Sequence, residues 1–77
     1  MQTFISLKLF ATLSNYTPAS ADKYPVESGT TVRVLMEQLG VPEDEVKLIF
    51  VNGVKSDLKS SLTGGERVGI FPPVGGG

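Results

Sequence analysis

A single stretch with helical periodicity decides most of what this chain can fold into. Val32, Leu35, Met36 and Leu39 recur at i, i+3, i+4 and i+7, which lays one apolar stripe along one short helix. Gly29-Thr30-Thr31 supplies its start, with the Thr31 hydroxyl placed to accept from a first-turn amide. Gly40 stops it, and Pro42 lies two residues beyond. A Val/Leu/Met stripe of this kind belongs to a core rather than to a binding groove. With only one such helix, small α+β folds that need a second long one fit poorly.

The rest of the chain reads mainly as strands and turns. From Thr3 to Phe10, Ile5, Leu7 and Leu9 share one parity, while Ser6 and Lys8 fall on the other. Ala11 to Tyr16 predicts a short helical turn, and the Pro, Ser and Ala of 17–22 a loop. Lys23 to Val26 is a second strand, placed at a sheet edge because Pro25 cannot donate a ladder hydrogen bond. Glu43 to Glu45 form a solvated acidic turn, and Val46 to Val51 a third strand. Asn52-Gly53 is the strongest hairpin signal, since a type I′ turn needs φ > 0 at both positions. A fourth strand runs from Val54 to Ser56, Leu58 and Leu62 anchor a connecting loop, and Thr63-Gly64-Gly65-Glu66 is a turn. Arg67 to Phe71 is the last strand, ended by Pro72-Pro73.

Strand, strand, helix, strand, strand, strand is the order of an α+β β-grasp, or ubiquitin-like, fold. The opening pair makes a hairpin, the helix crosses one face, and a mixed sheet of about five strands holds the first and last in parallel at its middle. The expected division is a β-grasp domain over 1–71 and a flexible Gly-rich tail over 72–77.

Composition narrows the function. Seven Lys+Arg against eight Asp+Glu give a net charge of −1, so nucleic-acid binding has no electrostatic footprint here and nucleic acid is not an expected partner. With no cysteine, disulfides and thiolate metal sites are excluded; with no histidine, so is the commonest general base and metal ligand. Catalysis by this chain alone is therefore not expected, nor is a metal or cofactor bound to it. No apolar run approaches the ~20 residues of a membrane span, and the start lacks a signal peptide's layout. The expected location is the cytoplasm.

The chemistry concentrates in Phe71-Pro72-Pro73-Val74-Gly75-Gly76-Gly77, which places three glycines and a carboxylate directly after the last strand. Glycine has no Cβ, so such a tail can thread a narrow active site. Six residues reach roughly 20 Å when extended, and two prolines stiffen the base. An ionised C-terminal carboxylate is a poor electrophile. A partner must activate it, for example by transferring AMP from ATP. Sulfur attack on that acyl-adenylate gives a thiocarboxylate; amine attack gives an amide.

The same seven residues resemble the Phe-Pro-Pro-Val-x-Gly-Gly ending of molybdopterin synthase small subunits, within the MoaD/ThiS family of ubiquitin-like sulfur carriers. Lys8-Leu9-Phe10-Ala11, Gly29-Thr30-Thr31-Val32 and Val51-Asn52-Gly53 extend the resemblance over essentially the whole chain. It implies that an E1-like enzyme, using ATP, adenylates Gly77, with Gly76 beside it in the slot. A sulfurtransferase system then makes the thiocarboxylate, and the large subunit of molybdopterin synthase takes up the sulfur in a heterotetramer. The carrier itself would bind neither ATP nor molybdenum or tungsten. Gly75 stands where the motif admits any residue. Thiamine-type carriers usually lack the Phe-Pro-Pro run, which favours the molybdopterin branch, with a carrier for thiamine or another sulfur-containing metabolite as the alternative.

Strand parity adds a docking surface. Phe4 and Phe10 fall opposite Ile5, Leu7 and Leu9; Phe71 falls opposite Val68 and Ile70; and one of two pairs, Leu48 with Phe50 or Ile49 with Val51, joins their side. Central neighbouring strands would bring Phe10 and Phe71 together on the face away from the helix, at the root of the tail. Phe10, Phe71, Pro72, Pro73, Val74 and Gly75 are therefore expected to meet partners. Two other functions share this fold: a protein modifier joined through Gly77 to a target lysine, and an interaction module with an inert tail.

Overall fold

The computed structural model describes residues 2–73. The alternation of β1 (Gln2–Leu9) builds its core: Ile5, Leu7 and Leu9 are buried, while Phe4, Ser6 and Lys8 point away. β2 (Tyr24–Glu27) pairs antiparallel with β1, setting Pro25 opposite Phe4. β4 (Leu48–Val51) and β5 (Val54–Ser56) form the hairpin, and β7 (Arg67–Phe71) inserts between β1 and β4. The resulting order is β2-β1-β7-β4-β5, with β1 and β7 parallel and Leu9 opposite Ile70. Pro25 does lie on an edge strand, and the first and last strands of this sheet are central neighbours. This is the β-grasp arrangement.

The helix α1 (Val32–Leu39) buries Val32, Leu35 and Met36 in one cluster with the inward residues of β1, β4 and β7. Each such side chain contributes about 1.5–3 kcal/mol through burial. The cap is as the sequence indicates: Val34 N–H donates to the Thr31 hydroxyl at 3.3 Å. Gly40 takes φ 79°, and Val41 N–H donates back to the Met36 carbonyl at 3.0 Å, which satisfies a terminal carbonyl. The buried core contains no phenylalanine.

Two features depart from the sequence reading. β2 is shifted by one residue and β4 starts at Leu48 rather than Val46, although Lys47 N–H still donates to the Phe71 carbonyl at 2.8 Å. In addition, β3 (Thr30–Thr31) pairs with β6 (Ser61–Leu62) in a two-residue ladder. Leu62 is fully buried there, and the Val32 and Arg33 N–H groups donate to the Ser60 and Leu58 carbonyls, each at 2.9 Å. The connecting loop thus supplies acceptors for the first-turn amides, which have no partner within a helix. A ladder this short leaves no periodicity to read.

Candidate functional site

The root of the tail is built from the ends of the two parallel strands. Phe10 follows β1, and its N–H donates to the Ile70 carbonyl at 3.1 Å, keeping it beside β7. Ala11 then adopts φ 53°, turning the chain into the 3-10 turn of Ala11–Tyr16, which fully buried Leu13 anchors. Left-handed backbone is uncommon for a residue with a Cβ. Phe71 closes β7, with its carbonyl tied to Lys47.

Held this way, the Phe10 and Phe71 rings stack with centroids 4.1 Å apart and planes 5° from parallel. Phe50 meets Phe71 edge-on at 5.6 Å and 83°. Leu48 lies in register opposite Phe71. Of the two alternatives on β4, it is therefore Leu48 and Phe50 that share the outer face, while Ile49 is buried. Each aromatic pair contributes about 0.5–1.5 kcal/mol beyond its burial. Gly69 lies beneath: a Cβ there would meet Phe10 at 3.5 Å and Phe71 at 3.8 Å. Pro72 is half-buried and Pro73 exposed. Val74, Gly75, Gly76 and Gly77 lie outside the described residues.

Sequence reasoning missed the residue that fixes the other end of β7. Glu66 is only 9% exposed. Its carboxylate accepts from Thr63 N–H at 2.8 Å, the Thr63 hydroxyl at 3.0 Å and Gly64 N–H at 2.7 Å. Burial alone would raise its pKa, but the hydrogen bonds from Thr63 and Gly64 outweigh burial and hold the carboxyl below its ordinary value. Ser6 N–H donates to the Glu66 carbonyl at 2.9 Å, so the same residue sets β7 against β1. The signal was present: Thr-x-x-Glu is a capping-box spacing, used here without a helix.

Among the described residues, no three His, Cys, Asp or Glu side chains come together in a group that could hold a metal ion. No helix among them is long and apolar enough to cross a membrane.

The model of the Mut7-C ubiquitin family matches residues 2–75. The chain belongs to the Mut7-C ubiquitin family. Solved structures of the same fold accompany that match. The HVO 2177 protein of Haloferax volcanii aligns over 99% of this chain and 88% of its own, at 24% identity and TM-score 0.76. A Pyrococcus furiosus protein assigned as molybdopterin converting factor, subunit 1, aligns over 94% and 99%, at 28% identity and TM-score 0.65. The small archaeal modifier protein 1 of H. volcanii aligns over 94% and 99%, at 21% identity and TM-score 0.67. No curated protein matches the chain. This Mut7-C ubiquitin chain is thus a ubiquitin-like β-grasp, as the element order and the MoaD/ThiS resemblance indicated.

Proposed function

We propose that this Mut7-C ubiquitin chain is a sulfur carrier that works through the carboxylate of Gly77, with residues 1–71 as its folded body and 72–77 as its reactive tail. The observation that carries the reading is the Phe71-Pro72-Pro73 exit: the last central strand ends in a stacked aromatic patch, and two prolines and a valine separate it in sequence from the three glycines. Likeness to a protein assigned as molybdopterin converting factor, subunit 1, supports the molybdopterin branch.

The chemistry needs no catalytic group from the chain. The Gly77 carboxylate attacks the α-phosphorus of ATP in an E1-like partner, releasing pyrophosphate. Sulfide-level sulfur, delivered as hydrosulfide, then displaces AMP, its new C–S bond replacing the C–O bond to the phosphate, and leaves the thiocarboxylate. The large synthase subunit accepts that sulfur. Phe10 and Phe71 dock the body, Pro72 and Pro73 aim the tail, and Val74 with the glycines enters the slot. A lysine amine attacking the same adenylate would instead make this a protein modifier, the role named for the H. volcanii small archaeal modifier protein 1.

Intact-mass analysis after incubation with the adenylating enzyme of the same organism, ATP and a sulfur donor tests both readings. Replacement of one oxygen by sulfur supports the carrier. Ladders of conjugates to other proteins favour the modifier, and an unchanged mass defeats both.

A further inference from the structure

All four phenylalanines of the chain stand outside the buried core, and they share one side of the sheet. The rows across that side show what surrounds them. Lys8 is in register with Gly69, Gly69 with Phe50, and Phe50 with Lys55. One row over four strands therefore reads Lys8, Gly69, Phe50, Lys55, with a cation at each end. The row towards the tail carries Phe71 opposite Leu48, with Phe10 stacked on Phe71. The row on the other side pairs Ser6 with Arg67. Residues in register project from the same face, so Lys8, Lys55 and Arg67 share the surface of the rings. Gly69, lacking a side chain, opens a recess of about 460 Å³ lined by Ser6, Lys8, Phe50 and Arg67.

The near-neutral total hides a segregation of charge. Lys8, Lys55 and Arg67 are exposed. Among the described residues the one ion pair joins Arg33 to Glu43 at 3.0 Å, on the helix side. Glu37 lies on α1, and Asp44 and Glu45 share the turn of Glu43. The Glu66 and Asp57 carboxylates are taken up by backbone N–H groups. Glu27, in register with Gln2, lies at the far corner of the sheet, and exposed Asp22 stands in the Ala21–Lys23 turn that leads into β2, the edge strand opposite β5.

We propose that this open face recognises a folded partner protein whose contact surface is apolar at its centre and acidic at its rim, with Lys8, Lys55 and Arg67 meeting the partner's carboxylates. The inference rests on the carrier reading, in which the partner is the enzyme that grips the root of the tail during activation. Single-stranded nucleic acid would also bring negative charge to aromatic rings, but it needs free ring faces for its bases. Here Phe10 and Phe71 stack on each other, Phe50 meets Phe71 edge-on, and Lys23 Nζ sits 5.0 Å from the Phe4 ring centroid. Rings already engaged in this way suit side-chain packing better than base stacking.

The test measures association of the full chain with the E1-like adenylating enzyme of the same organism. The variants are Lys8→Glu/Arg67→Glu and, as a charge-matched control, Lys47→Glu/Lys59→Glu, which alters a separate groove beside Ile49 and Leu58. Lys8→Glu/Arg67→Glu slows association on the order of 10-fold. The dissociation rate and melting temperature stay near wild type, and the control behaves as wild type. Raising salt from about 20 to about 300 mM slows the wild type comparably. Association equal to wild type for Lys8→Glu/Arg67→Glu, in a carrier still loaded with sulfur, overturns this inference and leaves the carrier reading intact. A wild-type chain that forms neither adenylate nor thiocarboxylate overturns both. Saturable binding of a single-stranded oligonucleotide that Lys8→Glu/Arg67→Glu abolishes, with no salt effect on enzyme association, assigns the face to nucleic acid and overturns the protein partner.

Discussion

The Glu66 carboxylate holds Gly64 by its N–H at 2.7 Å, and with the two Thr63 bonds this ties the turn ahead of β7 to the strand it introduces. Because these bonds favour the ionised form, the folded chain lowers the pKa of Glu66 below its ordinary value of 4.5. A depressed carboxyl contributes stability that is present above the unfolded value and lost as pH falls through the folded one. Glu66→Gln should therefore cost about 1–3 kcal/mol at neutral pH. The difference from wild type should shrink as pH drops below about 4. Urea midpoints of both proteins across pH measure this, and a pH-independent difference would show that the carboxylate charge is not what matters.

Gly64 itself admits no side chain. Its φ is 126°, and a Cβ would collide with the Thr3 side chain. Gly64→Ala should cost about 2–4 kcal/mol, part from backbone strain and part from the collision. Thr3→Ala removes only the second part. The double variant should therefore recover about 1 kcal/mol relative to the sum of the singles. Additive single effects in a denaturation cycle would refute the collision.

Asn52 shows how far the sequence could be read. Asn-Gly announced a hairpin by itself, and the structure gives φ 55° and 79° at Asn52 and Gly53. Local chemistry also located Thr31, Gly40 and the edge proline, because each rests on a neighbour or two along the chain. What escaped was what only tertiary structure creates. The Asn52 side chain accepts from Arg67 N–H at 2.9 Å, and its own N–H donates to the Arg67 carbonyl at 2.8 Å. These bonds span fifteen residues, and no local pattern signals them. The β3–β6 ladder and the row of cations beside Phe50 escaped for the same reason, whereas parity alone did bring Phe10 towards Phe71. Asn52→Ala loses both the side-chain acceptor and the tolerance of positive φ. It should destabilise by about 1.5–3 kcal/mol, read as a lowered melting temperature. Asn52→Gly keeps the turn and should cost about 1 kcal/mol, the hydrogen bond alone.

The tail and the body should separate cleanly. Deleting Gly76 and Gly77 should abolish sulfur loading and leave the melting temperature unchanged, because among the described residues the core cluster ends at Ile70. Gly76→Val or Gly77→Val should block activation by side-chain collision in the slot while preserving the fold. Normal turnover of the valine variants, followed by pyrophosphate release, would count against threading of the tail.

Phe71 separates docking from folding through the size of two effects. Its side chain is half-buried on the outer face, and its contact to Lys47 is made by the backbone carbonyl, which any residue supplies. The fold therefore loses chiefly the ring pairs with Phe10 and Phe50, each about 0.5–1.5 kcal/mol. An aromatic anchor at the centre of an interface typically loses about 2 kcal/mol or more on truncation, and a buried charge adds to that. Phe71→Asp should thus lower the melting temperature modestly but weaken binding to the adenylating enzyme by about 30-fold or more. Phe10→Ala, which strips the stack but introduces no charge, should show the same imbalance at smaller size. A Phe71→Asp protein that binds normally would remove the aromatic patch from the interface. One that unfolds would place Phe71 among the residues holding the fold, leaving the milder Phe10→Ala to decide whether the stack contacts the enzyme.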